Sequence, residues 1–107
     1  STHWRDRLNA TMEAERRRLV ALRTLLDLGR GTAGTWVRRR DLLEAMRNSD
    51  EPPANPQTLD ARLARLLSTG LIERSWIEGR PQFRVTHAGR EHLETAAARG
   101  APAPIAA

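Results

Sequence analysis

The spacing of apolar residues changes at Gly70, and this change constrains the possible folds more than any other feature of the sequence. Before Gly70, four leucines recur at steps of three and four residues on one helical face: Leu59, Leu63, Leu66 and Leu67. After it, apolar and polar residues alternate loosely over 71–77 and again over 82–85, with a turn at 78–81. The pattern therefore predicts a helix over 56–69 followed directly by a β-hairpin over 71–85.

Residues at the element ends support the helices of the C-terminal half. Asn55 is a favoured N-cap residue, and Pro56 fits the first helical position because the N–H that it lacks would have no partner there. Gly70 suits the left-handed position that follows a helix. Thr86 is a second N-cap candidate and predicts another helix, which runs to about Ala98.

The first half of the chain predicts one long helix and two short elements. The helix covers 3–28: its C-terminal half is densely apolar and is expected in the core, whereas its N-terminal half is sparsely apolar and is expected to pack on something else, often a second copy. A very short strand is predicted at 35–37 and a short helix at 41–46. The remaining segments are a glycine-rich loop at 29–34, a proline-rich turn at 48–56 and a disordered Ala/Pro-rich tail at 99–107.

Length and composition favour a single domain of the mainly α (α+β) class. With 107 residues, the chain has the size of one typical domain, which we place at 1–98. It contains no cysteine, so it offers neither disulfides nor thiolate metal ligands. No apolar run has the length of a membrane span, and we expect a cytoplasmic protein that does not bind membranes.

The basic residues point to nucleic acid as the first partner to consider. The net charge is +5, and all 18 basic residues are arginine. A GC-rich genome, whose codons favour arginine, explains the missing lysine better than function does, whereas the net positive charge is a separate signal. Guanidinium groups pair with phosphate and with guanine in two-point geometry, and a small basic domain is therefore a candidate nucleic-acid binder.

The sequence predicts neither a catalytic centre nor a metal site. Of the three histidines, His87 and His92 lie five positions apart, which does not place two ligands on one face of a helix. Asp41 and Glu44 stand near the start of the predicted short helix, where the helix dipole explains them. We expect a protein without enzymatic activity and without a cofactor.

Two short motifs flank the predicted hairpin. The first motif, Gly70 to Arg74 (GLIER), follows the 56–69 helix directly. The second motif, Val85 to Leu93 (VTHAGREHL), begins at the last residue of the hairpin. These motifs resemble those of winged helix-turn-helix regulators of the PadR and MarR kind; the match covers about the last third of the chain well and 35–47 loosely. The resemblance implies a three-helix core with a hairpin wing and a long N-terminal helix. It also implies a transcriptional regulator, in the first place a repressor, that binds duplex DNA as a homodimer.

The polar face of the predicted 56–69 helix is the first candidate for DNA contact. The leucines occupy one side of this helix, and small or polar residues occupy the other. Recognition helices read base edges mainly with their N-terminal residues, and Gln, Thr and Arg suit adenine, thymine and guanine respectively. The candidate contacts are Gln57, Thr58, Ala61, Arg62 and Arg65, the last as base reader or phosphate clamp. The alternative is an ordinary solvated face.

Arginines at two other places are candidates for contact with the DNA backbone or minor groove. A wing lies along the phosphates or enters a minor groove, where arginine is favoured. An arginine run at a helix N-terminus opposes the helix dipole and is tolerated better beside phosphates. The candidates are Arg74, Arg80 and Arg84 on the hairpin, and Arg38, Arg39 and Arg40 before the short helix. Ordinary surface charge is the alternative at both places.

Three further groups receive structural interpretations. Trp36 and Trp76 are expected in or near the core, where the small sheet packs on the helices. The arginine cluster at 16–18 is interpreted as solvated. The N-terminal half of the long helix and the helix after the hairpin are the expected dimer contacts. On the long helix the candidate dimer residues are Trp4, Leu8 and Met12.

Two other functions stay open. A winged-helix module that docks proteins would carry an apolar patch in place of the basic face, and the arginines argue against it. A phage or mobile-element factor that bends DNA without regulating a promoter would have the same residues as a repressor, and genomic neighbours would separate the two.

Overall fold

Four helices and a three-stranded antiparallel sheet form a mixed α+β structure, seen in a computed structural model that describes residues 2–30, 35–48 and 55–99. The sheet has the strand order β1-β3-β2. No helix in the described part of the chain is both long and apolar enough to span a membrane. The helices are α1 (Thr2–Leu28), α2 (Arg39–Arg47), α3 (Pro56–Ser68) and α4 (His87–Ala98), and the strands are β1 (Val37–Arg38), β2 (Ile72–Ile77) and β3 (Arg80–Val85).

The predicted start of α3 is confirmed. The Asn55 side chain accepts a hydrogen bond from the backbone N–H of Thr58 at 2.9 Å, so it satisfies one of the free donors of the first turn. Pro56 occupies the first helical position, as expected from its fixed φ and missing N–H.

The predicted end of α3 at Gly70 is also confirmed. Gly70 has a φ of 76°, a conformation that favours glycine. Its N–H donates to the carbonyl of Leu67 at 3.1 Å, and the N–H of Leu71 donates to the carbonyl of Leu66 at 3.0 Å. This Schellman pattern closes the helix and directs the chain straight into β2.

A junction at Thr86 ties the end of α3 to the start of α4. The Thr86 hydroxyl donates to the carbonyl of Gly70 at 2.8 Å and accepts from the N–H of Gly89 at 3.1 Å. The N–H of Thr86 donates to the carbonyl of Leu71 at 3.1 Å. A Cβ on Gly89 would collide with that same carbonyl and with Val85, so only glycine lets α4 pack this closely. Residues of the two sequence motifs, Gly70–Arg74 and Val85–Leu93, thus build this junction.

The hairpin turn is shorter than predicted. Glu78 and Gly79 form a two-residue turn with φ values of 53° and 77°, and positive φ at both central residues matches the right-handed twist of the flanking strands. Arg80 and Pro81, which the sequence places in the turn, are the first residues of β3 and pair with Ile77 and Trp76.

The elements between α1 and α3 differ in their bounds from the prediction. The short strand lies at Val37–Arg38 instead of 35–37, because Val37 is the residue that pairs with Phe83 of β3. α2 begins at Arg39, two residues before its predicted start, so Arg38 is its N-cap residue and the arginine run enters the first turn.

The core surrounds the C-terminal half of α1, as predicted. Leu22 and Leu25 are almost completely buried, and α2, α3, α4 and the sheet supply the residues around them. The N-terminal half of α1 extends beyond this core, which accounts for a longest dimension of 51 Å. The surrounding core residues are Val37, Leu42, Met46, Leu59, Leu63, Leu66, Ile72, Phe83, Val85 and Leu93.

The expected position of Trp76 in or near the core is wrong. Its side chain is 64% exposed. Trp76 shares a face of β2 with buried Ile72, but it pairs with Pro81 beside the turn, and the core does not extend that far along the hairpin. Trp36 is half-buried beside the sheet, in agreement with the expectation.

Several predicted segments fall on residues that the structure does not describe. Of the predicted glycine-rich loop at 29–34, only Gly29 and Arg30 are among the described residues, and they follow the end of α1. Within the predicted proline-rich turn, 49–54 lie outside the described residues. The predicted tail is described only at Arg99, the C-cap residue of α4, and 100–107 lie outside.

Candidate nucleic-acid interface

The outer face of α3 carries small and polar side chains along its whole length. Leu59 and Leu63 are buried on the inner side. On the opposite side, exposed residues form a shallow ridge of Gln57, Ala61, Ala64 and Ser68. Because the two alanines project little, a flat surface can approach this helix closely.

The other predicted reading residues turn toward α1. Thr58, Arg62 and Arg65 line a groove between α3 and the N-terminal half of α1. The Thr58 hydroxyl donates to the carbonyl of Asn55 at 3.0 Å, so its proton is already used within the first turn of α3. The five predicted readers are therefore divided between the ridge and one flank of α3.

An ion pair joins the start of α2 to the first half of α3. Arg39 Nε donates to Asp60 Oδ1 at 2.8 Å, and Arg39 Nη2 donates to Asp60 Oδ2 at 2.9 Å. Arg39 Nη2 also lies 3.4 Å from the carbonyl oxygen of Pro56. The hydrogen bonds with Asp60 raise the pKa of Arg39 above its ordinary value. Arg39 thus fixes α2 against α3.

The predicted arginine run and the hairpin tip come together in one cationic cleft of about 310 Å³. Arg38 pairs with Asp41 at 2.9 Å, and Arg39 pairs with Asp60. Arg40 and Arg80 form no side-chain hydrogen bond or ion pair within the described part of the chain. The N-terminus of α2 lacks a side-chain cap, so its N–H groups add to the positive potential. The cationic cleft is lined by Arg38, Arg39, Arg40, Arg80 and Pro81.

The other two hairpin arginines lie against tryptophan rings. The Arg84 guanidinium is 4.4 Å from the ring centre of Trp36 and 2.7 Å from a Glu73 carboxylate oxygen, which pairs across the strands. The Arg74 guanidinium lies 5.6 Å from the ring centre of Trp76. Arg84 therefore helps to hold the sheet together, whereas Arg80 projects at the turn.

A second basic depression, of about 430 Å³, separates α1 from α3. We call it the α1–α3 groove. It brings Arg17 and Arg18, interpreted as solvated from sequence, beside Arg62 and Arg65. The available sequence signal was the arginine run at 16–18 combined with alanines on the same face of the helix. Its lining residues are Ala10, Glu13, Ala14, Arg17, Arg18, Thr58, Ala61, Arg62 and Arg65.

The predicted dimer residues form an exposed apolar stripe on α1. Trp4, Leu8 and Met12 are 67%, 45% and 54% exposed. At 3.6 residues per turn, this stripe lies on the side of α1 roughly opposite the alanines of the α1–α3 groove. An apolar stripe without a cover in the monomer is a typical mark of an interaction surface.

The charge of these surfaces favours anions over cations. In residues 2–30, 35–48 and 55–99, no three His, Asp or Glu side chains are grouped as they are in metal sites. His87 contacts the Glu91 carboxylate at 3.0 Å on the surface of α4. Arginine is the most frequent residue in the lining of both depressions, and the outer face of α3 carries small side chains.

Comparison with known proteins assigns no family to this fold. No family model matches the chain, and no curated protein matches it. The functional proposal therefore rests on the positions of these residues.

Proposed function

We propose that this protein is a winged helix-turn-helix transcriptional regulator that binds duplex DNA, in the first place as a repressor. In this proposal α2 and α3 are the helix-turn-helix, and the β2–β3 hairpin is the wing. α3 enters the major groove, which is wide enough for one helix. The proposal includes no enzymatic step and no cofactor.

The observation that carries the proposal is the cationic cleft between the start of α2 and the hairpin. Arg40 and Arg80 reach it from two different elements, and neither is neutralised by a described carboxylate. The Arg39–Asp60 pair connects the cleft to α3. A phosphate in this cleft would fix the position of α3 relative to the DNA, because phosphate contacts set orientation whereas base contacts set specificity.

Base reading is assigned to the exposed N-terminal half of α3. Gln57 presents an amide, which pairs with adenine in two-point geometry, and Ala61 leaves room for a thymine methyl. Arg65 lies two turns later and reaches either a guanine or a phosphate. The wing arginine Arg80 contacts the backbone or an adjacent minor groove.

We further propose that two copies associate through the apolar stripe of Trp4, Leu8 and Met12. Two α3 helices would then enter successive major grooves about 34 Å apart on one side of the duplex. A dimer binds DNA more tightly than a monomer with the same residues. Once one copy is bound, the second copy meets its half-site at a high effective concentration.

One observation favours the second candidate function, a winged-helix module that docks proteins. Trp76 is 64% exposed on the hairpin, and an exposed tryptophan is a frequent anchor in protein interfaces. Binding to a protein in place of DNA would use this residue and would not need Arg40 or Arg65.

The experiment measures binding to a random-sequence DNA duplex by fluorescence anisotropy. The parent protein and the Arg65→Ala variant are compared at a low salt concentration and at a fourfold higher one. The phosphate contacts of Arg40 and Arg80 alone predict a fall in affinity of at least about tenfold per bound subunit over this salt range, and Arg65→Ala is expected to bind more weakly. A parent protein that does not bind duplex DNA at low salt would overturn the proposal in favour of the docking module.

A further inference from the structure

We propose that the α1–α3 groove binds a DNA phosphate backbone, so that Arg17 and Arg18 of the N-terminal helix are DNA-contacting residues. This inference rests on the proposed function and deepens it. In this inference α1 contacts a DNA phosphate backbone, in addition to the contacts proposed for α3 and the hairpin.

Charge is the first ground for this site. The groove is lined by four arginines and one glutamate, a surplus of three positive charges. The Glu13 carboxylate is already held by Arg17 at 3.2 Å and by Arg16 at 3.6 Å. Arg18 and Arg65 form no side-chain hydrogen bond or ion pair with the residues that the structure describes. Arg18 and Arg65 reach this depression from two helices, so an anion placed between them would interact favourably with both.

The shape of the groove suits an extended strand. Ala10, Ala14 and Ala61 are the smallest residues along it, and Thr58 adds only a short side chain. The groove is a surface depression and not an enclosed cavity. A sugar-phosphate strand can therefore lie between the two helices, with guanidinium groups from both on its phosphates.

The two basic depressions lie on opposite sides of α3. Asp60, on one side of the helix, is tied to Arg39 of the cationic cleft, whereas Thr58, Arg62 and Arg65 face α1 on the other side. A major groove is bordered by two phosphate strands about 12 Å apart. With α3 in that groove, one strand would run through the cationic cleft and the other through the α1–α3 groove.

Dimer formation leaves this site accessible. The stripe of Trp4, Leu8 and Met12 lies roughly opposite the groove on α1. A second copy that covers the stripe therefore does not occupy the groove, and α1 can contact its partner and DNA at the same time.

The test compares a double variant, Arg17→Gln with Arg18→Gln, with a control of equal charge, Arg23→Gln with Arg90→Gln. Arg23 pairs with Asp27 at 3.2 Å on α1, as Arg17 pairs with Glu13, and Arg90 pairs with Glu94 at 3.7 Å; neither control residue lines the groove. Urea denaturation verifies that all variants fold. The slope of log affinity against log salt is then measured with duplex DNA.

We expect the groove variant to lose about 1.8 from the magnitude of this slope per bound subunit, whereas the control keeps the parent slope. Arg17→Lys with Arg18→Lys is expected to restore the slope, since the charge is what binds phosphate. Equal slopes for the groove variant and the control would overturn the inference and leave the proposed function standing. A parent that does not bind DNA would overturn both. Polyglutamate is titrated in parallel: a groove variant that loses binding to polyglutamate while its DNA binding is unchanged would overturn the inference and assign the groove to an acidic protein.

Discussion

The Arg39 guanidinium of α2 and the Asp60 carboxylate of α3 meet in two nearly parallel hydrogen bonds of 2.8 and 2.9 Å. Two-point geometry fixes both the distance and the relative orientation of the groups. The pair therefore ties the start of α2, and with it the cationic cleft, to α3. Arg39 thus has a structural partner, whereas Arg40, one residue later, has none among the described residues.

Substitutions at these adjacent arginines are expected to separate stability from DNA binding. Arg39→Gln lowers the free energy of unfolding by about 0.2–1 kcal/mol, because the partly exposed ion pair is lost. Arg40→Gln changes this free energy by less than about 0.5 kcal/mol. It is expected to reduce the slope of log affinity for DNA against log salt by the amount that corresponds to about one phosphate contact. Urea denaturation and anisotropy titration measure the two effects. The opposite result, with Arg40→Gln the more destabilising substitution, would contradict the structural role of Arg39 and the binding role of Arg40.

Gly89→Ala is expected to destabilise the protein by about 1–3 kcal/mol. The added Cβ would collide with the carbonyl of Leu71 and contact Val85 at 2.9 Å, so α4 must shift away from the end of α3. Ala88→Ser, at the exposed neighbouring position, is the control and should change stability by less than about 0.5 kcal/mol. Equal melting temperatures for Gly89→Ala and the parent would show that α4 does not pack as described.

Glu78→Asn is expected to stabilise the hairpin by a few tenths of a kcal/mol up to about 1 kcal/mol. Glu78 has a φ of 53°, and asparagine tolerates this conformation better than a residue with a longer side chain. Asn-Gly is also the favoured pair for this two-residue turn. Chemical denaturation measures the gain. A loss of stability would indicate a turn of another type.

Leu8→Glu is expected to prevent the proposed dimer from forming. It places a charge in the middle of the stripe formed by Trp4, Leu8 and Met12, where the proposed interface excludes water. Ala10→Glu introduces the same side chain on the opposite side of α1, in the α1–α3 groove, and should leave the dimer intact. Sedimentation velocity distinguishes the two states. A parent that sediments as a monomer at all concentrations would remove the stripe as a dimer contact.

The sequence predicts those parts of the fold that depend on neighbouring residues. The ends of α3 follow from Asn55, Pro56 and Gly70, whose effects act within one helical turn. The position of Trp76 was mispredicted because alternation shows which face a residue occupies but not how far the core extends along that face. The size of the turn could not be predicted from the sequence pattern, because Arg80 and Pro81 are equally acceptable in a turn and at the start of a strand.

The candidate site was predicted residue by residue but not as an arrangement. Arg38–Arg40 and Arg80 were separate groups in the sequence, and packing brings them into one cleft. The Arg39–Asp60 pair joins residues 21 positions apart, and a local sequence pattern cannot predict such a contact. Arg17 and Arg18 acquire significance only when α1 is placed beside α3.

The central claim is that α3 reads the sequence of duplex DNA, and selection from a random duplex pool tests it most directly. The parent is expected to enrich a sequence with two related half-sites about one helical turn apart. Gln57→Ala is expected to relax the preference at one position in each half-site, at a cost of about 1–3 kcal/mol in discrimination, while the salt dependence stays unchanged. A pool that remains random after selection with the folded parent protein would contradict the claim.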